Sequence, residues 1–338
     1  TKENTTNIKS GGKLQFEATD GNIDLKGVQA EANDVSLSAK NGEINITDAK
    51  ETVTEHSKGV NISGGVTASV GVGAIDGANA QLGVTGNVSY NQSDVNNEYS
   101  KGSSIVAKNG VSIESGKNTN IIGSTVEGNN VDLKVGGDLN IETKVDKIDE
   151  SRIEAWLGAD VSAGVATNTI GTGDLGLSAG GGQIFKKGSE VTTQAGIKAK
   201  NEITAKVEGD ANLKGGVLGS ETGAGNVDIG GNLNVSDVKT DLNAGGAIIG
   251  ISGGTKGGGI QGEVGDVIDK KQTAKSGINV NPDNITVGGD VTVNGGSGDK
   301  NNVGVDMKNS LTTDKDIYKQ GGTFSGTASA IPGKKKGS

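Results

Sequence analysis

The chain has 338 residues and a formal net charge of -9, from 41 acidic against 32 basic side chains, with Gly 60, Pro 2, Cys 0 and only 2% aromatic residues. Interspersed charge of this sign excludes sequence-independent nucleic-acid binding. The shortage of aromatics excludes a thick globular interior and leaves open a narrow core of Val, Ile, Leu and Ala.

The polar opening from Thr1 carries neither a leader nor a membrane-span pattern, and the chain reads as an internal piece of something longer. The lack of cysteine removes disulfides and leaves the compartment undecided on that ground. Residues 8–47 then give four short apolar runs, starting at Leu14, Ile23, Val35 and Ile44. Leu14 and Phe16, Ile23 and Leu25, Val35 and Leu37, Ile44 and Ile46 point one way, with polar residues between them. That alternation is the pattern of half-buried strands. Gly, Asn and Asp between the runs accept positive φ and mark bends. Two strands and two turns in about 21 residues predict one coil of a right-handed parallel β-helix. Stacked coils would set Asn and Asp above one another as amide ladders.

Residues 59–91 change texture. Val66, Ala68, Val70, Val72 and Ala74 alternate with small polar residues, Asp76-Gly77 marks a reversal, and Ala80, Leu82, Val84, Val88 and Tyr90 return. This predicts a long β-hairpin. A polar bridge, 93–102, leads to a second coil block at 105–144, with runs at Val111, Asn120, Val131 and Leu139. The second hairpin insertion, 154–185, runs out from Ala155 to Val165, turns near Gly171-Thr172-Gly173-Asp174 and returns through Leu175, Leu177 and Ala179. After a bridge at 186–195, a third block at 197–236 has runs at Ile203, Ala211, Val227 and Leu233. A third insertion, 244–268, carries Ala247, Ile249 and Ile251 before Gly257-Gly258-Gly259. A last bridge, 269–276, precedes a partial block at 278–305 with runs at Ile285, Val291 and Val303. Val35, Val131 and Val227 lie 96 residues apart in both steps, so the blocks read as copies of one unit. Residues 306–338 lose the pattern and are expected to be irregular, ending in the solvated tail Lys334-Lys335-Lys336. The predicted fold is all-β, a repeat β-helix over 1–305 with inserted hairpins.

Residues 110–144, GVSIESGKNTNIIGSTVEGNNVDLKVGGDLNIETK, resemble the haemagglutinin repeats of filamentous haemagglutinins and of large CdiA-type exoproteins. The GS-x-V string, the NNVDL strand and the GGDLNI strand carry the likeness, which extends more weakly over about 8–305. The resemblance implies a secreted protein of the bacterial cell surface and a right-handed parallel β-helix. It also implies export through an outer-membrane transporter of the two-partner-secretion type, and a virulence role in adhesion or contact-dependent toxin delivery. The implied target is a receptor or the outer membrane of another cell, and no nucleic acid. NPDN at Asn281–Asn284 and VNNE at Val95–Glu98 do not match the family's secretion and toxin-junction motifs, so the chain is expected to be shaft or repeat region.

No residue is assigned a catalytic, cofactor-binding or metal-ligating role. The single histidine, His56, lies in ETVTEHSKG without a flanking nucleophile motif and reads as a solvated connector residue. A β-helical polysaccharide-degrading enzyme is the rival reading, and Asp24, Asp34, Asp132 and Asp138 are its carboxylates. Phe16, Tyr90, Tyr99, Trp156, Phe185, Tyr318 and Phe324 are scattered and form no sugar platform. GGDLNI at Gly136 and GGNLNV at Gly230 lack the spacing of calcium-binding coils, and GGGIQG at Gly257–Gly262 precedes no helix. A further alternative is a membrane-active translocation module built from the hairpins, with Tyr90 and Trp156 as strand-end aromatics. Packing of the hairpins' apolar face on the helix flank is the expected explanation of the same alternation.

Overall fold

The computed structural model describes residues 1–73, 77–166 and 169–329. Their strands form a 12-stranded, an 8-stranded and a 9-stranded sheet, and the only helical element described is the 3-10 turn Pro282–Asn284. The fold is all-β. In the first two sheets each turn of chain lies in parallel register on the turn before it: Thr6 pairs with Val28, Leu14 with Val35 and Ile23 with Ile44. The same three contacts recur from coil one, 6–26, through coils two to seven at 28–47, 104–122, 125–142, 196–214, 217–236 and 277–293. Val35, Val111, Val131 and Ile203 thus form one row, and Ile44, Thr119, Leu139, Ala211, Leu233 and Val291 another.

Each coil has three strands, where the sequence suggested two. The additional one, such as Val28–Ala32, Ser104–Ala107 or Val217–Ser220, belongs to the same 12-stranded sheet as its successor. Its large inward residues, such as Ile105, Val126, Ile197 and Leu218, are followed two positions on by a small one, such as Ala107, Gly128, Ala199 and Ser220, so its alternation is faint in the sequence. The inward residues of all coils make one continuous core from Ile23 to Val303. Leu14 and Phe16 pack on it half-buried.

The corner after the third strand alternates between two solutions. In coils one, three and five it is closed by a glycine in the left-handed region, Gly27, Gly123 and Gly215, with φ of 63°, 60° and 62°. A side chain there would be both strained and crowded, for instance against Ala49 at Gly27. After coils two, four and six the chain instead leaves the helix as a hairpin. Two stacked coils rise by two inter-strand spacings of about 4.8 Å, and a hairpin occupies two spacings of the same size. Hairpins leaving one corner every second coil therefore tile edge to edge.

They do so as a continuous antiparallel fin, the 9-stranded sheet. Ala49–Gly73 pairs with Gly77–Lys101, which pairs with Asp146–Ala166, then Thr169–Glu190, then Val238–Gly254. The hairpins are longer than the expected 59–91, 154–185 and 244–268. The polar bridges 93–101, 186–190 and 269–274 are strand that carries each hairpin back to the helix. The reversal at Asp76 lies outside the described residues. Gly171–Asp174, the expected site of the second reversal, belongs to the strand Thr169–Glu190, and the third reversal falls at Thr255-Lys256, just before Gly257. Residues 306–338 are not irregular throughout. Leu311–Lys319 and Gly322–Ser329 add a further edge to the fin, pairing with Val267–Ala274 and Gly257–Val264, because those strands otherwise present open backbone. The tail from 330 lies outside the described residues.

Candidate functional surface

The fin is amphipathic across its width. Cross-strand register brings Val60, Tyr90, Ala155, Gly181, Ile249 and Phe324 into one row on one face. The next row outward on that face holds Ile62, Val88, Leu157, Ala179, Ile251 and Ile260. The row after it is nearly bare: Gly64, Gly86, Ala159, Gly253 and Gly258, with Leu177 the one large side chain. Branched residues return with Val66, Val84, Val161 and Leu175. On the opposite face the corresponding rows are Asn, Ser, Thr, Gly and Asp, as in Ser63, Asn87, Ser178, Ser252 and Thr327.

No described residue covers the outer apolar side. Val70 is 80% exposed, Ile62 75% and Leu157 63%, whereas packing on the helix flank would have buried them. That expectation is overturned. The sheet leaves the corner and projects beyond the coils, and the buried fin residues Ile148, Leu242 and Ile248 lie on its opposite face. Trp156 points to the polar face and lies over Gly180 and Gly250 of the next two strands, where any side chain would collide with the ring. It therefore forms no aromatic belt with Tyr90 on the other side.

Toward the root the apolar face gives way to a band of ion pairs. His56 hydrogen-bonds Asp94 across the first hairpin, Lys187 meets Asp149 at 3.1 Å, Lys271 faces Asp241 and Lys315 bonds Asp269. His56 is thus a strand residue with a carboxylate partner and no connector. Hydrogen bonds from Gln92 and His56 hold the Asp94 carboxyl below its ordinary range. Buried polar groups stitch the root to the coils. Gln194 donates to the Gly215 and Lys275 carbonyls and accepts from Ser310, and Asp146 accepts from Ser100 and Thr192.

The four carboxylates singled out from the sequence are spread over the helix surface. Asp24 accepts from Asn45 at the foot of a ladder that continues through Asn120, Asn140, Asn212 and Asn234 to Thr292, each step 2.7–2.9 Å. Asp34 accepts the Gly110 N–H, and Asp138 accepts the Asp210 N–H one coil on. Asp132 sits between Ser112 and Thr204 and 4.0 Å from Lys134. Asp34, Asp132 and Glu202 line a shallow groove, with none opposite another. Among the described residues no three His, Cys, Asp or Glu side chains converge as a metal site.

Known proteins resemble this chain in sequence. Residues 1–156 match the family described as hemagglutinin repeat. The chain is 34% identical to filamentous hemagglutinin of Bordetella pertussis over 75% of its length. It is 26% identical to the protein adenylyltransferase and cysteine protease IbpA of Histophilus somni over 82%, and 28% identical to the tRNA nuclease CdiA of Yersinia mollaretii over 66%. It spans 7% of the length of each of these relatives. No solved structure matches it. A parallel stack with regularly inserted hairpins, matched along most of its length to such proteins, is a haemagglutinin-repeat region of the filamentous-haemagglutinin and CdiA type.

Proposed function

We propose that the chain is a length of stiff shaft in a secreted bacterial surface exoprotein that acts in adhesion or contact-dependent toxin delivery. The observation that carries this reading is the match between the two-coil rise and the width of one hairpin. Each added unit lengthens core and fin together, so reach grows without new chemistry. On this reading the winding is right-handed, because parallel strands of one sheet joined by a crossover take that hand in nearly all proteins. Export runs through an outer-membrane transporter, and contact is made with a receptor or membrane of the target cell. The domain unit is two coils plus one hairpin.

The reading is also non-enzymatic for this span. The adenylyltransferase, protease and nuclease named for two of the relatives are properties of proteins of which it matches 7%. Of the four carboxylates singled out, Asp34 and Asp138 accept backbone N–H groups and Asp24 accepts from Asn45.

Removing residues 104–195 tests the shaft, since Ser103 and Ala195 hold equivalent positions before coils three and five. Small-angle scattering should show a folded chain whose axis is shorter by about 10 Å, two inter-strand spacings. Loss of folded structure, or an unchanged length, overturns the modular shaft. Cleavage of a polysaccharide by the purified chain overturns the non-enzymatic part.

A further inference from the structure

We propose that the apolar face of the fin packs against the same face of a second copy of this chain, forming a two-fold sandwich of fins. The relief of the face suits this partner. Ile62, Val88, Leu157, Ile251 and Ile260 make a ridge, and Val66, Val84, Val161 and Leu175 a second. Between them runs the furrow floored by Gly64, Gly86, Ala159, Gly253 and Gly258 and interrupted by Leu177. A side chain added at Gly86 or Gly253 would meet nothing within 4 Å, so the furrow is open on either side of Leu177. A two-fold operation brings one surface patch onto its own image. The ridge of each copy then enters the furrow of the other, at the usual sheet-to-sheet distance of about 10 Å.

Size and charge agree. Seven strands about 4.8 Å apart, with apolar stretches of about 8–11 residues at ~3.4 Å each, give a face on the order of 1,000 Å². A standard stable interface needs about 800 Å² per partner. The outer rows of this face carry no charged side chain, and Lys58, Gln92 and the ion pairs beyond them supply a polar rim on the root side.

Hydrocarbon is the less suitable cover. The outer part of Ala49–Gly73 and the strand Gly322–Ser329 each pair with one neighbour only among the described residues, leaving open backbone edges. Lipid does not satisfy such edges, while an aqueous sandwich leaves them in water.

Sedimentation of the 338-residue chain decides the matter. A concentration-dependent monomer–dimer equilibrium is expected. The double variant Leu157→Asp, Val161→Asp should raise the dissociation constant by about 100-fold or more, because it would bury unpaired charge. Asn61→Asp with Asn87→Asp, on the polar face, should leave it unchanged. Circular dichroism monitors folding, and if the aspartate pair unfolds the chain, Leu157→Ser with Val161→Ser is read instead. A chain that stays monomeric at ~100 µM, far above the dissociation constants of specific interfaces, overturns the proposal, as does a dimer insensitive to these substitutions. Flotation with phosphatidylethanolamine–phosphatidylglycerol vesicles is the second arm. A monomer that binds them, and loses binding with Leu157→Asp and Val161→Asp, assigns the face to lipid and also overturns the proposal.

Discussion

Asn140 shows how one side chain ties three coils together. Its amide donates to Asn120 at 2.8 Å and its oxygen accepts from Asn212 at 2.9 Å, within a row that is only partly open to water. Asn140→Ala deletes both bonds and leaves an unpaired donor on Asn212, so the loss should be about 1–3 kcal/mol. Denaturant unfolding reads it directly, and a change under ~0.5 kcal/mol, the noise of an ordinary surface substitution, would show that the ladder is passive. Asp94 works differently, through charge. Its folded pKa is depressed, first by Gln92 and then by His56. Stability from this group is therefore present above the unfolded value of about 3.9 and lost as pH falls through the lower folded value. Acid unfolding of Asp94→Asn should consequently be less steep below pH ~4 than that of the natural chain; matching acid limbs would show that the pair contributes nothing.

At the level of elements, the fin depends on side chains that bridge strands from different hairpins. Trp156 of the second hairpin covers Gly180 on its own return strand and Gly250 of the third hairpin. Gly180→Val would drive the ring off both, at a local cost of about 1–3 kcal/mol. Hydrogen exchange should then accelerate in 175–185 and 245–254 while the coils keep their protection; uniform acceleration would mean that fin and coils open as one. The fin also marks where reading the sequence stops short. Strands with Val, Ile or Leu inward, such as Val35–Leu37 and Ile44–Ile46, declare themselves by alternation, and so does the existence of the hairpins. Alternation states that a sheet has two faces and says nothing about what covers them, which is why the exposure of Ile62 and Val70 could not be foreseen. Likewise LTTDKDIYK is strand through the open edge of Val267–Ala274, a neighbour the local sequence does not reveal. Even the equal spacing of Val35, Val131 and Val227 is partly accidental. The residue stacked over Ile203, and so over Val131, is Gly225, two positions before Val227. The second hairpin step is shorter than the first and the coil step that follows it is longer, and the two differences cancel only in part.

For the molecule as a whole, a stack of coils is held only by neighbours, so a weak coil should divide it into halves that unfold separately. Here the fin supplies a second connection. The first hairpin leaves after coil two and the second after coil four, and they pair from Lys147–Glu98 to Ala166–Asn79, spanning coils three and four from outside. Leu133 offers the test. It lies in coil four, fully buried between Ile113 and Ala205, and Leu133→Ala should cost about 2–5 kcal/mol through lost burial and the cavity left behind. If the fin acts as a splint, the variant unfolds at lower denaturant in one transition. Hydrogen exchange then rises together in 28–47 and 196–214, on either side of the damaged coil. Two resolved transitions in Leu133→Ala would mean that coupling runs through the coils alone and that the fin is carried by the shaft without bracing it.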